Sequence, residues 1–393
     1  MREVVTDPGK YASLPAFLGA WLYREWRRRQ AADLITWRKP TDGELEPGCT
    51  ALVGMCHHLP AVLLANLSCL GRNRWEELHE VIVVVDSVRG CLPTGLEDRA
   101  AAAAGDLDVR FFYYSDEQAR RADRIKLPYL YSWLSWAIAM KQCRTRTALL
   151  HDYDALILNG RMRHRYDAFM ASGARMQGIR WYEGNGIIPE DRLATTFEAF
   201  VDVSWVRQYP PIRMFNKIAR HRGRSVDFDT LLEMQANCTE TCERTLEPMA
   251  TDSLIHPSQM IHQFTMARRY PGAALPVFSL PMVPFLAWVG GDSDALRDAN
   301  RRITEANGKL VSFFEGVDVN FANLKVSEVA WALKQMLFAC EALGIKPGPD
   351  LYAYGSNLYA LTDCTEGAVW KGDFTRIQRM WITDMNASHD EVG

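Results

Sequence analysis

The string Ala148 to Leu158, ALLHDYDALIL, sets two carboxylates, Asp152 and Asp154, one residue apart between two apolar runs. Alternate side chains of an extended chain point the same way, so this spacing predicts both carboxylates on one side. At the end of a buried strand such a pair can share one divalent cation through hard oxygen ligands. A cation held there would neutralise a diphosphate leaving group. An Asp-x-Asp by itself is common. Its apolar flanks and the segments before it give this one weight.

Those segments alternate between two periods. Thr50 to Met55 (TALVGM) reads as a short buried strand. Residues 60–71 carry Val62, Leu63, Leu67 and Leu70 at helical spacing and stop at Gly71. Glu80 to Asp86 (EVIVVVD) is a β-branched run of the kind buried on both faces of a parallel sheet. A helix through Ala100–Ala104, a strand over Val109–Tyr114 and an apolar-aromatic helix over residues 127–143 follow. The strand ending in Asp152 comes next. This order predicts an α/β fold with a doubly wound, mostly parallel sheet. Right-handed crossovers then bring the strands' carboxyl ends to one edge, where ligands bind. His57, His58, Asp86, Asp152 and Asp154 fall on that edge.

The later chain is less regular. Residues 161–176 read as a basic helix, and Gly178 to Ile188 as a strand, a Gly-Asn-Gly turn and a second strand. Residues 192–202, 226–250, 292–307 and 326–343 read as helical, the last stopped by Gly344. The expected organisation is an N-terminal helix and linker over residues 1–47, a catalytic domain over 48–270, and a helical region over 271–393 packed on it.

Of the 393 residues, 48% are hydrophobic and 24% charged, as in a soluble globular protein. The formal net charge of −3 provides no overall field to attract nucleic acid. The 9 cysteines are scattered, and only Cys238 and Cys242 lie close. No zinc-ligand pattern results, and reduced thiols in a cytoplasm are the simplest reading. No apolar run approaches the ~20 residues of a membrane helix. Residues 14–30 combine Phe17, Leu18, Trp21, Leu22 and Trp26 with Arg27, Arg28 and Arg29. A helix of that kind can lie on an anionic membrane surface. An ordinary packing helix with a solvated basic end is the favoured reading.

Three strings together resemble GT-A type glycosyltransferases: TALVGMCHHLPAVLLANL, VIVVVDS and LLHDYDALIL, the last preceded by ADRIKLPYLYSWLSWA. The resemblance covers roughly residues 48–160, and 178–265 only faintly. It implies that the loop Met55 to Pro60, with His57 and His58, holds a nucleotide and that Asp86 contacts its base or ribose. It implies that Asp152 and Asp154 hold Mn²⁺ or Mg²⁺ on the diphosphate of a nucleotide-sugar donor, a UDP-sugar being favoured. Arg124 and Lys126 would reach that diphosphate. The turn of Gly184, Asn185 and Gly186 would line the donor sugar. A late histidine, His256 ahead of His262, would complete the metal site. Glu183, Asp318 or Glu315 would serve as base toward a carbohydrate or lipid-linked acceptor.

Three rival readings are weaker. A sugar-nucleotidyltransferase needs a Gly-rich basic loop where MCHHLP stands. An aspartyl-phosphate hydrolase places a hydroxyl residue after its motif, where Ala155 stands. A non-catalytic carbohydrate-binding scaffold would keep its function without Asp152 and Asp154. The arginine groups Arg161, Arg163, Arg165 and Arg220, Arg222, Arg224 read as solvated surface.

Overall fold

Strand β1 (Glu46–Met55), helix α2 (Pro60–Arg72), strand β2 (Leu78–Val85), helix α3 (Leu96–Ala104) and strand β3 (Asp108–Tyr113) follow a first helix, α1 (Leu14–Ala31). Helices α4 (Asp116–Ile125) and α5 (Pro128–Gln142) lead to β4 (Thr145–Leu150) and the short β5 (Leu156–Ile157). Then come α6 (Arg161–Ser172), β6 (Met176–Gly178), β7 (Ala199–Asp202), α7 (Val203–Arg207), β8 (Lys217–His221), β9 (Arg224–Phe228), α8 (Leu232–Cys238), β10 (Arg244–Leu246) and β11 (Leu254–Ile255). This is a computed structural model, and it describes residues 9–362 apart from 42, 241–242, 247–252 and 307. Cys242 and the tail beyond 362 lie outside the described residues.

The described chain divides into two compact units. The first runs to Leu63 and resumes over Leu67–Leu254; the second takes Leu64–Asn66 and the chain from Ile255 onward.

The first unit is built on a seven-stranded sheet of order β10-β6-β7-β4-β1-β2-β3. The pairs β1–β2, β1–β4, β2–β3 and β6–β10 are parallel. Strand β7 lies antiparallel to both β4 and β6, so it alone runs against the others. The expected α/β class, a mostly parallel sheet flanked by helices, is therefore what the chain forms. Strand β2 is buried from Val81 to Val85, as its β-branched run requires. On one face, Trp133 of α5 packs on Phe215 with ring centroids 4.9 Å apart and donates its indole N–H to the Pro211 carbonyl. On the other, Trp75, Tyr166 and Phe169 gather around Phe200 of β7.

Several local expectations need correction. Helix α1 ends at Ala31, where the chain turns to bury Leu34 and Ile35. The helix expected over residues 127–143 forms as α5, and a second helix, α4, precedes it. Ser115 and Gln118 form a capping box that starts α4, Lys126 ends it in the left-handed region, and Pro128 opens α5. Residues 192–202 were expected to be helical, yet Ala199–Asp202 is a strand. Ala199, Phe200 and Val201 are fully buried between β4 and β6, and that pairing overrides the helical preference of the segment. Residues 226–250 are likewise not one helix but hold the end of β9, then α8 and β10. Gly178 to Ile188 makes only a tight turn, with Gly184 and Ile187 exchanging both backbone hydrogen bonds. Asn185 (φ 55°) and Gly186 (φ 84°) both take the positive φ that a type I′ turn demands.

That turn rests on β9. A side chain at Gly186 would put its Cβ 2.2 Å from the Ser225 carbonyl oxygen, and one at Gly9 would meet the same oxygen at 2.2 Å. The Lys10 amide donates to that carbonyl and the Tyr11 amide to the Ser225 hydroxyl. Helix α1 is fixed to the same region by Arg24, whose guanidinium donates to both oxygens of Asp227 at 3.0 and 3.1 Å. Arg28 donates to the Phe215, Asn216 and Ile212 carbonyls.

The second unit is mainly helical: α9 (Met260–Arg269), α10 (Met282–Val289), α11 (Ala295–Glu305), α12 (Val326–Leu343) and α13 (Pro349–Ala360), with the hairpin β12 (Leu310–Phe314) and β13 (Val317–Asn320). Phe264 and Phe321 pack against Phe314 and Phe313 of the hairpin, and the buried Tyr354 hydroxyl donates to the Pro281 carbonyl. Among the described residues no helix is long and apolar enough to cross a membrane.

Candidate active site

Strands β1, β2 and β4 are parallel neighbours, so their carboxyl ends open on one edge of the sheet. At the end of β1 the chain turns through Cys56, His57 and His58 into α2. The His57 amide donates to Asp86 Oδ1 at 2.8 Å, and His57 Nδ1 lies 2.6 Å from the same oxygen. Asp86 thus clamps the loop of the neighbouring strand. It does not cap the following helix, whose cap position is Gly95. His58 stands exposed with its ring centroid 3.6 Å from that of His57.

At the end of β4 the His151 amide still donates to Leu52 of β1, and the chain then leaves the sheet. Asp152 opens a turn, its carbonyl accepting from the Ala155 amide at 3.0 Å. Asp152 and Asp154 therefore converge through a turn, not through the alternation of an extended strand. A turn of this size brings residues i and i+2 to one side while sinking Tyr153 into the protein. Asp154 is buried and Asp152 half-buried.

After the turn, β5 pairs with β11, and the Leu158 amide donates to the Ser253 carbonyl. Strand β11 delivers His256, the next residue after Ile255. One ligand atom from each of Asp152, Asp154 and His256 lies within 4.8 Å of the other two. Two carboxylates and an imidazole are a hard-to-borderline donor set suited to Mn²⁺ or Mg²⁺. The Tyr153 hydroxyl is buried with no hydrogen-bond partner. Burial pushes its pKa well above the usual phenol range, and the charges of Asp154 and Asp86 add to this. A buried polar atom left open between the loop clamp and the carboxylate pair fits a site that receives a polar ligand.

Two polar positions around the motif escaped the sequence reading. Glu198 is fully buried at a positive φ of 48°. Its Oε1 lies 2.6 Å from His151 Nδ1 and accepts the Asp152 amide at 3.3 Å, so it holds the motif from behind. No pattern around it signals this, since its segment reads as helix. Asp229 follows β9. Its Oδ1 accepts from Asn216 Nδ2 at 2.8 Å and from the Thr230 amide at 2.7 Å. Burial raises its pKa above the usual carboxylate range, and the charges of Asp227 and Asp152 raise it further. Asp229 therefore shares the field of the Asp152 carboxylate. Here a signal was present: Asp227-Phe228-Asp229 is a second Asp-x-Asp at the end of a strand, hidden by the helical reading of 226–250.

The turn of Gly184, Asn185 and Gly186 reaches the same neighbourhood. Asn185 donates to the Tyr182 hydroxyl and accepts from Lys10 Nζ at 2.7 Å. Burial, with the charge of Asp229 next in weight, lifts Tyr182 to about 12. Glu183 stands exposed in that turn, and Arg124 and Lys126 stand exposed at the end of α4. His262 is exposed on α9 and is not part of the Asp152, Asp154 and His256 group. Asp318 is exposed on β13 of the second unit, where it accepts the Ser312 hydroxyl at 2.7 Å.

Two arginines expected on the surface are internal. Arg165 is buried and donates to the Glu198 carbonyl. Arg224 is buried and donates to both oxygens of Asp191 at 2.7 Å. Both spend their charge inside the fold because a fork of donors can satisfy buried oxygens.

No protein-family model and no characterised protein matches the sequence. Among solved structures, residues 1–349 of S. aureus TarS align over 80% of this chain and 90% of that one, at 12% identity and a TM-score of 0.36. The galactosyltransferase LgtC, in complex with donor and acceptor sugar analogs, aligns over 42% of this chain and 62% of its own, at 10% identity and 0.32. The mannosyltransferase PcManGT from Pyrobaculum calidifontis, in complex with GDP-Man and Mn²⁺, covers 94% of this chain and 96% of its own, at 13% identity and 0.31. The architecture and the placement of residues given above rest on the sheet and its contacts, not on these distant alignments.

Proposed function

We propose that this protein is a metal-dependent glycosyltransferase of the GT-A type, moving a sugar from a nucleoside-diphosphate donor to a carbohydrate or lipid-linked acceptor. The observation that carries the reading is the convergence of Asp152, Asp154 and His256 at the sheet edge where His57 is clamped by Asp86. Asp152, Asp154 and His256 would hold Mn²⁺ or Mg²⁺. When bound, the cation would offset the negative charge that grows on the leaving diphosphate.

The chain's own groups supply the rest. The loop from Cys56 to His58 and Asp86 bind the nucleoside, with a uridine donor the first to test. Glu198 keeps the Asp152 backbone in place, so the carboxylate pair is ordered before any donor arrives. The Gly184–Gly186 turn borders the donor sugar. Asp229 takes the proton of the acceptor hydroxyl; a carboxylate with a raised pKa is the stronger base, provided that it remains ionised. Glu183 is the exposed alternative in the same region.

The test is nucleotide binding and donor hydrolysis with Mn²⁺, Mg²⁺ or EDTA, in the wild type, Asp152→Ala, Asp154→Ala and Asp229→Asn. We expect metal-dependent binding of a nucleoside diphosphate that falls at least tenfold in the two alanine variants. Asp229→Asn should bind normally and lose transfer by roughly a hundredfold or more, the usual weight of a general base. Binding indifferent to metal and to both aspartates would remove the proposal.

A further inference from the structure

Helix α1 is amphipathic in the reverse sense. A surface helix ordinarily turns its apolar stripe to the core and its charges to water. Here the buried face carries Arg24 and Arg28 beside Phe17 and Ala31, and both arginines are satisfied inside the protein. The outward face carries Leu14, Leu18, Trp21, Leu22, Tyr23 and Trp26. Leu22 is 60% exposed, Leu14 56% and Trp26 52%. These six are half of the 12 large hydrophobic residues exposed among the described residues, on one helix of 18 residues. A concentration of this kind marks an interaction surface.

The charges on that face select its partner. The helix has four arginines and one glutamate, and Glu25 is tied to Arg28 at 3.3 Å. Arg29 is exposed beside the apolar stripe. The Arg27 guanidinium lies over the rings of Trp26 and Tyr23, 4.3 and 5.1 Å from their centroids. Leucines for the acyl boundary, tryptophan and tyrosine for the headgroup level and uncompensated arginines for phosphate together match one partner. We propose that the outward face of α1 docks this protein on an anionic lipid surface, with Leu18, Leu22 and Trp26 inserted and Arg27 and Arg29 on the phosphates. The proposal is independent of the glycosyltransferase reading. It would stand for any activity at the sheet edge.

The experiment is flotation of the full chain with vesicles of phosphatidylcholine alone or of phosphatidylcholine with phosphatidylglycerol, and light scattering without lipid. The expected result is binding to the anionic vesicles at least tenfold above the neutral ones, weakening as salt is added. The double variant Leu22→Asp, Trp26→Asp should lose at least tenfold of that binding with an unchanged melting temperature, since both side chains are exposed. Arg29→Glu should lower binding to anionic vesicles only. Absence of vesicle binding would overturn the proposal. So would binding untouched by these substitutions. A dimer in light scattering that Leu22→Asp dissolves, without vesicle binding, would assign the face to a second copy of the chain instead.

Discussion

Glu198 stands behind the Asp152–Asp154 motif and holds its backbone. Its carboxylate serves His151 and the Asp152 amide at once, at full burial. Glu198→Ala removes the oxygen shared by the His151 ring and the Asp152 amide, at about 1–3 kcal/mol. Because Asp152 is then no longer held, the metal concentration needed for half-maximal turnover should rise several-fold. Thermal melts and a Mn²⁺ titration check the two effects separately. Asp229 carries the clearest pH signature. Its folded pKa is raised, so its contribution to stability is full below the unfolded carboxylate pKa and is lost as pH rises through the folded value. Asp229→Asn removes that loss, so the decline in melting temperature across that window should flatten. The Asp152–Asp154 pair was legible in the sequence because apolar flanks isolate it. Glu198 was not, because burial and a backbone at positive φ leave no trace in residue spacing.

At the scale of elements, what the sequence disclosed depended on which interactions set each element. The five segments from β1 to β3 were readable, since a local apolar or helical pattern marks each of them, although β3 itself is only half-buried. Strand β7 was not. Its conformation is fixed by β4 on one side and β6 on the other, partners more than twenty residues away in the chain. Its end is nevertheless locally encoded. Asp202 caps α7, accepting from the Ser204 and Trp205 amides. Asp202→Ala should cost about 1 kcal/mol and also release Arg175. The Asn185-Gly186 turn is encoded by residue type. Gly186→Ala meets both a positive φ and the Ser225 carbonyl, so we expect a loss of 1 kcal/mol or more and a displaced Asn185. Denaturant melts give the first quantity, and altered donor selectivity would report the second.

At the scale of the whole molecule, ligand linkage is the most direct readout. A nucleoside diphosphate with Mn²⁺ at about a hundredfold over its dissociation constant stabilises the folded state by ~2.7 kcal/mol. The melting temperature should rise accordingly in the wild type and stay flat in Asp154→Ala or with EDTA. The 7 described cysteines lie outside disulfides, and most are buried. Burial pushes Cys69 and Cys340 up to about 12, so they resist thiolate chemistry. The formal net charge of −3 provides no overall pull on nucleic acid.

The seam at Ser225 bears on how this protein is made and handled. Gly9, Lys10 and Tyr11 are threaded against β9, and Lys10 reaches Asn185 in the turn beside Asp229. Residues 9–11 are thus part of the architecture that supports the Asn185 turn. A gene design that starts at Pro15 would strip two ties from Ser225 of β9 and one from Asn185 of the turn at once. Affinity handles and dyes belong elsewhere than against Gly9, where even a methyl group has no room.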